Sequence, residues 1–170
     1  MVRHVAIRAA VPADIAAILR IDRDSPTAAH WPESVYQEAL GQCSRMVLVA
    51  EGQEGTLGFL VASTAAVEWE LENIAVMSSA RRRGVGRALL NALIDHARGA
   101  GASEIRQEIR ASNLAAQLLG QSVGFVREGR RKSYYRNPEE DALLFNYLLI
   151  KPKQPSKEHE NSCSQFRKNR

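Results

Sequence analysis

The chain has 170 residues, 45% of them hydrophobic and 25% charged. That is the length and balance of one globular domain, and it excludes a wholly disordered or fibrous chain. The uncharged run between Glu54 and Glu68 holds 13 residues, too few to cross a bilayer.

Arg3, Arg8 and Asp14 fall where a signal peptide needs an apolar run, so we expect a cytoplasmic protein with no membrane partner. Cys43 and Cys163 are the two cysteines. They make no disulfide framework and have no metal-ligand spacing, so no metal is expected, and Cys43 reads as a small buried side chain. The net charge of +4 is carried entirely by residues 151–170, and the remainder is neutral. This last stretch is rich in Lys, Ser, Asn, Gln and Pro and cannot bury enough surface to offset its ordering entropy. We therefore divide the chain into a domain over 1–150 and a basic, disordered tail over 151–170. The tail reads as a solvated segment or as a nucleic-acid-binding arm acting near a ribosome.

In chain order, Val5 to Ala9 reads as a strand. Pro12 and Asp14 open a helix with Ile15, Ile18, Leu19 and Ile21 on one face. A second helix follows Trp31-Pro32 and ends near Gly41. Arg45–Glu51 and Thr56–Ser63 are strands joined by a glycine-containing turn, a hairpin. Val67–Val76 is the next strand. Its start alternates Val67, Trp69 and Leu71 with Glu68, Glu70 and Glu72, which places three carboxylates on one face. It ends in the apolar run Ile74-Ala75-Val76.

A basic loop, Arg81-Arg82-Arg83-Gly84-Val85-Gly86-Arg87, leads into an amphipathic helix carrying Leu90, Leu93, Ile94 and Ala97. Ser103–Ile109 is a strand. Leu114 to about Ser122 is a helix capped by Ser112 or Asn113 and stopped at Gly124. Phe125–Lys132 and Ala142–Ile150 are the closing strands, with Tyr134 and Tyr135 in the loop between them. About seven strands and four helices imply an α/β or α+β fold on a mixed sheet.

The strand–loop–helix over 67–98 carries the chemistry. Gly84 and Gly86 let backbone approach a ligand, and the helix start offers unpaired N–H groups and partial positive charge. Together they suit a pyrophosphate. The Walker spacing is missing, and so is the third glycine of the dinucleotide fingerprint. An ordinary tight turn with a solvated basic cluster is the other reading of these residues.

Arg81-Arg82-Arg83-Gly84-Val85-Gly86 also fits [QR]-x-x-G-x-[GA] and resembles the acetyl-CoA loop of the GNAT N-acetyltransferases. Asn73-Ile74-Ala75-Val76 precedes it. Glu108-Ile109-Arg110-Ala111-Ser112-Asn113, Gly124-Phe125, Arg130-Arg131-Lys132-Ser133-Tyr134-Tyr135 and Glu140-Asp141-Ala142 follow. The ordered set, strong from about 67 to 150, looks most like the branch of that family that acetylates ribosomal-protein alanine termini (the RimI type).

The resemblance implies a seven-stranded, mostly antiparallel sheet split in a V between its central strands, with acetyl-CoA as acetyl donor. By position, the backbone of Ile74, Ala75 and Val76 would pair with the pantetheine arm. Arg82, Arg83, Gly84, Val85, Gly86 and Arg87 would hold the pyrophosphate, and Asn113 would bond the cofactor arm. It places the general base at Glu108, with Glu70 the rival. The plain reading of Glu108 is a strand carboxylate paired with Arg106 or Arg110. Tyr134 and Tyr135 would clamp the acceptor, or merely pack.

The acceptor is expected to be a protein N-terminus, as on a ribosomal protein, with a lysine or a small amine as the alternative. One departure stands out. Where the family has a tyrosine to protonate the leaving thiolate, this chain has Gly120. That leaves open a slow enzyme, a substitute proton source such as solvent or Tyr134/Tyr135, or a module that binds acyl-CoA without turning it over.

Overall fold

The computed structural model describes residues 5–149. The basic stretch 151–170, Cys163, His4 and His159 lie outside them. The elements are β1 (Ala6–Ala9), α1 (Ile15–Asp24), α2 (Glu33–Gly41), β2 (Arg45–Gly52), β3 (Gly55–Ala65), β4 (Glu68–Val76), α3 (Val85–Gly99), β5 (Glu104–Arg110), α4 (Leu114–Val123), β6 (Val126–Arg136) and β7 (Glu139–Leu148). The seven strands form one sheet in the order β1-β2-β3-β4-β5-β7-β6. All neighbours are antiparallel except β4 and β5.

Two apolar clusters sit on opposite faces of this sheet. On one face, Ile15, Ile18, Leu19 and Ile21 of α1 and Tyr36 and Ala39 of α2 pack on Val47, Val49, Phe59, Val61 and Ala75. On the other, Val85, Leu89, Leu90, Leu93, Ile94 and Ala97 of α3 pack on Leu48, Leu57, Leu60 and Ile105. Each side chain of this size buried in full contributes about 1.5–3 kcal/mol. The helix periodicities read from the sequence are therefore core faces.

Strand β4 departs from simple alternation. It pairs Val61 with Asn73 and Ala62 with Leu71, so Glu72 is an extra residue at a bulge. The bulge reverses the facing of everything after it. Trp69 and Leu71 join the α3 cluster, and Ile74 and Val76, half-buried, pack against that same cluster. Asn73 and Ala75 point to the α1/α2 side instead. Only Ala75 of the Ile74-Ala75-Val76 run is fully buried.

Beyond the bulge the sheet divides. Strands β4 and β5 pair only from Glu68 opposite Glu104 to Leu71 opposite Gln107. Each then continues without the other, β4 to Val76 and β5 to Arg110. This is the V-shaped opening expected between the central strands.

Three local expectations are corrected. Tyr134 and Tyr135 lie within strand β6, whose turn to β7 is Asn137–Pro138. Cys43 is exposed, in the turn between α2 and β2, and is not buried. Pro12–Asp14 form a 3-10 turn ahead of α1.

Asp14 fastens that turn to the sheet. Its carboxylate accepts from Arg8 Nη1 at 2.7 Å and Nη2 at 2.9 Å, and from the Val11 N–H at 2.8 Å. Arg8 also donates to Glu51 at 2.7 Å. The Arg8 bond, offset in part by burial, holds the Asp14 carboxyl below its ordinary range. A carboxyl lowered by folding stabilises the native state above its unfolded pKa and loses that contribution as pH falls through the folded value. We expect Asp14→Asn to lower stability at pH 7 by about 1 kcal/mol, since Arg8 is part-exposed. In urea melts the gap between variant and wild type should close below pH ~4. A gap of the same size at every pH would show that the charge of Asp14 is not involved.

Candidate active site

The opening between β4 and β5 has two sides, and each gathers one kind of chemistry. The first side begins at the loop. Arg82 takes φ +62° and Gly84 φ +84°, a left-handed conformation in which a side chain at 84 is strained. A Cβ at Gly84 would meet nothing within 4 Å, so the loop is open to a ligand there.

No side chain caps α3. Its first backbone bond runs from Ala88 N–H to Gly84 C=O, so the amides of residues 84–87 lie ahead of any helical partner. Arg82, Arg83 and Arg87 are exposed around them, and Val85 is buried as an anchor. Gly86 serves differently than expected. A Cβ on it would come within 2.9 Å of Leu119 Cδ2, so this glycine lets α3 approach α4.

Arg81, read from the sequence as one more loop cation, is a strap. It donates from Nε to the Val76 carbonyl at 3.0 Å and from Nη2 to Ser25 Oγ at 3.2 Å. The Ser78 N–H donates to Asp24 at 3.1 Å beside it. The loop is thus tied to both β4 and the end of α1.

From the loop, the free edge of β4 leads into the opening. Met77 N–H bonds Leu57 C=O on β3. By the antiparallel alternation, Ala75 also turns its backbone groups to β3, while Ile74 and Val76 turn theirs toward the missing β5 partner. Such an edge can accept an extended ligand as an added strand. Asn113 stands on the far side as the N-cap of α4. Its Oδ1 accepts from Ala116 N–H at 3.1 Å, so the cap uses the oxygen and leaves the NH2 group available.

The other side carries the carboxylates. Of the three on β4, Glu68 pairs with Arg106 at 3.2 Å and Glu72 with Arg45 at 3.1 Å. Glu70 forms no ion pair among the described residues. Partial desolvation, followed by the like charges of Glu108 and Glu72, holds its carboxyl above the ordinary range, with Arg131 and Arg106 pulling it partly back.

Glu108 is half-buried and pairs with Arg131 Nη1 at 3.2 Å. The expected partners are engaged elsewhere: Arg106 with Glu68 and Glu104, and Arg110 with Glu140 at 2.8 Å. Tyr134 is held above its usual pKa first by the neighbouring Glu108 carboxylate. Tyr135 donates to the Glu108 carbonyl at 3.4 Å, and its ring lies 4.1 Å below the Arg110 guanidinium. The two tyrosines meet edge to face at 5.2 Å.

Beneath this mouth, Asn73 Nδ2 donates to the Tyr36 hydroxyl at 3.0 Å and to Asp22 at 3.4 Å. Those bonds fix the α1–α2 connection against β4. Trp69 is core, whereas Trp31 is half-buried against Tyr36 with Arg45 above it at 5.9 Å.

Two residues of the opening went unread in the sequence. Arg131 is brought to Glu108 by strand order, across β7. Gln107 was signalled only by a polar residue in the inward series Ile105, Gln107, Ile109.

A split sheet, a glycine-turned helix start ringed by arginines and an unpaired central edge define a protein that holds an acyl-CoA. Residues 15–125 match the acetyltransferase (GNAT) family, and the chain belongs to that family. It is an N-acetyltransferase with acetyl-CoA as acetyl donor.

Over 117 residues it is 36% identical to the [ribosomal protein bS18]-alanine N-acetyltransferase of Escherichia coli, covering 67% of this chain and 78% of that protein. It is 35% identical over 127 residues to an uncharacterized protein of Mycobacterium leprae, of which the match spans only 33%. The crystal structure of the E. coli ribosomal-protein-S18-alanine N-acetyltransferase superposes with a TM-score of 0.76 at 27% identity, covering 95% of this chain and 100% of that one. No helix among the described residues is long and apolar enough to cross a membrane.

The coupling between the two carboxylates can be tested without substrate. We expect Glu108→Gln to lower the Glu70 carboxyl pKa part of the way back toward the ordinary carboxylate range, with desolvation still holding it up, read by carboxyl-carbon NMR titration. An unmoved Glu70 would show that the two do not share a field.

Proposed function

We propose that the chain transfers acetyl from acetyl-CoA to the α-amino group of a protein. The observation that carries this reading is the convergence of Glu70, Glu108 and the Tyr134 hydroxyl on one mouth of the opening, opposite the donor side. An acidic, aromatic-rimmed mouth attracts a cationic peptide terminus and then lets it lose its proton. The names of the relatives, which include acetylation of a ribosomal protein's alanine, support the same acceptor class. In this reading the domain spans 1–150, the reaction takes place in the cytoplasm, and a ribosomal protein is one candidate acceptor.

The residues divide the work. The amides of Gly84, Val85, Gly86 and Arg87 with the side chains of Arg82, Arg83 and Arg87 hold the diphosphate. The Ile74 and Val76 backbone, on either side of Ala75, and the Asn113 amide hold the arm. Acetyl-CoA supplies an activated acyl group on a thiol leaving group.

Glu108 accepts the proton of the attacking amine, directly or through water. An α-ammonium has a pKa of ~7.7–8.0 and yields that proton readily near pH 7, whereas lysine at ~10.4 does not. A second reading gives the proton to Glu70, favoured by its raised carboxyl pKa and its lack of an ion pair among the described residues. Tyr134 and Tyr135 flank the incoming chain.

The test is thiol release from acetyl-CoA with short peptides. A peptide with a free alanine terminus should turn over, and the same peptide blocked at its terminus but carrying a lysine should not. Glu108→Gln should lower kcat by ~10²–10⁴-fold near pH 7, with partial recovery at higher pH as the amine deprotonates unaided. Loss confined to Glu70→Gln would move the base to Glu70. Release with lysine or small amines alone would overturn the acceptor assignment, and binding without release on any amine would identify a carrier module.

A further inference from the structure

Gln107 occupies the inward register of β5 between Ile105 and Ile109 and is only 6% exposed. Its Nε2 is buried with no hydrogen-bond partner. Among the described residues, two other buried polar atoms lack a hydrogen bond, Glu72 Oε2 and Asn146 Oδ1. Glu72 has its Arg45 ion pair, and Asn146 uses its own amide on Glu104 at 2.8 Å. Gln107 alone of the three is a donor left without an acceptor. A buried N–H in that state is costly, and its retention points to a partner that arrives with a ligand.

The position of this amide is specific. Gln107 is the last β5 residue in register with β4, so it stands at the base of the opening. It faces the side covered by α3 and α4, opposite Glu108. A Cβ at Gly120 would sit 2.5 Å from Gln107 Nε2 and 3.6 Å from Phe125 Cβ. Gln107 therefore fills the space that a side chain at 120 would enter. Glycine at this helix position is the residue that leaves the amide there.

We propose that Gln107 is a catalytic residue that takes over the task left by Gly120, donating its Nε2–H to the thioester sulfur as the acyl group departs. The step balances without an acid at this site. The amine lone pair forms the nitrogen–carbon bond, and the carbon–sulfur bond breaks with its electron pair on sulfur. The proton lost by nitrogen passes to the carboxylate and on to water. The thiolate leaves as an anion, and Gln107 keeps both its hydrogens. The inference rests on acetyl-CoA as donor and is independent of which amine accepts.

The experiment titrates coenzyme A bound to the full chain, following thiolate absorbance in the ultraviolet. The wild-type complex should ionise about one pH unit or more below a free thiol at ~8.5. Gln107→Leu should return the thiol to its ordinary value and lower kcat about 10- to 100-fold with little change in KM. Its melting temperature should equal or exceed the wild type's, because the orphan amide is gone. Gly120→Ala places a methyl group where the amide lies and should raise the thiol pKa in the same direction with Gln107 still present. It also covers the case in which the Gln107 variant fails to fold. A bound thiol that ionises alike in wild type and the folded variants overturns the role of Gln107 alone. A wild-type chain that binds no coenzyme A overturns the donor assignment and this proposal together.

Discussion

The backbone hydrogen bonds that β4 and β5 do not make are the constraint on which the rest depends. A parallel pair in the middle of a sheet ordinarily zips along its length, and an interior edge left open exposes polar groups that must find partners. Here pairing stops at Leu71 opposite Gln107, directly before the bulge at Glu72. The bulge turns Ile74 and Val76 onto the α3 face, so the free edge runs from the arginine loop to the base of the opening. Helix α3 begins where that edge ends, and Arg81 ties the loop to the Val76 carbonyl. The open edge, its run to the arginine loop and the two-sided opening all follow from one interrupted ladder.

The sides of the opening are electrostatically distinct. Exposed arginines and helix-start amides surround the loop, and carboxylates face the opposite mouth. Under the proposed function, the negative charge of a diphosphate and the positive charge of an ammonium would be led to different entrances. Arg131 keeps the Glu70–Glu108 pair from being simply repulsive, and it reaches Glu108 from β6, two strands away in the sheet order. Between the two mouths lie Gln107 and Gly120, where the polar inventory of the α3/α4 face is unusual in holding a donor with nothing to bond.

Much of this was legible in the chain. The helix faces of α1 and α3, the hairpin β2–β3, the Asn113 cap and the arginine–glycine loop follow from local periodicity and turn chemistry. The split followed from the family resemblance, because no local signal marks where two strands cease to pair. The bulge escaped because one extra residue leaves the alternation of buried and exposed side chains superficially intact. Tyr134 and Tyr135 read as loop residues because β6 is an edge strand, exposed on nearly every residue, and offers no alternation to detect. Glu108 was matched with its sequence neighbours Arg106 and Arg110. Strand order instead gave it Arg131, a partner that sequence distance does not reveal.

The most direct measurement is residue-resolved amide hydrogen exchange on the described domain, with and without coenzyme A. Ile74 and Val76 should exchange rapidly in the free chain while their neighbour Ala75, turned to β3, is protected, and coenzyme A should slow Ile74 and Val76 at least tenfold. Protection of Ile74 and Val76 without ligand, or exchange that coenzyme A leaves unchanged, would contradict an open central edge that receives the donor.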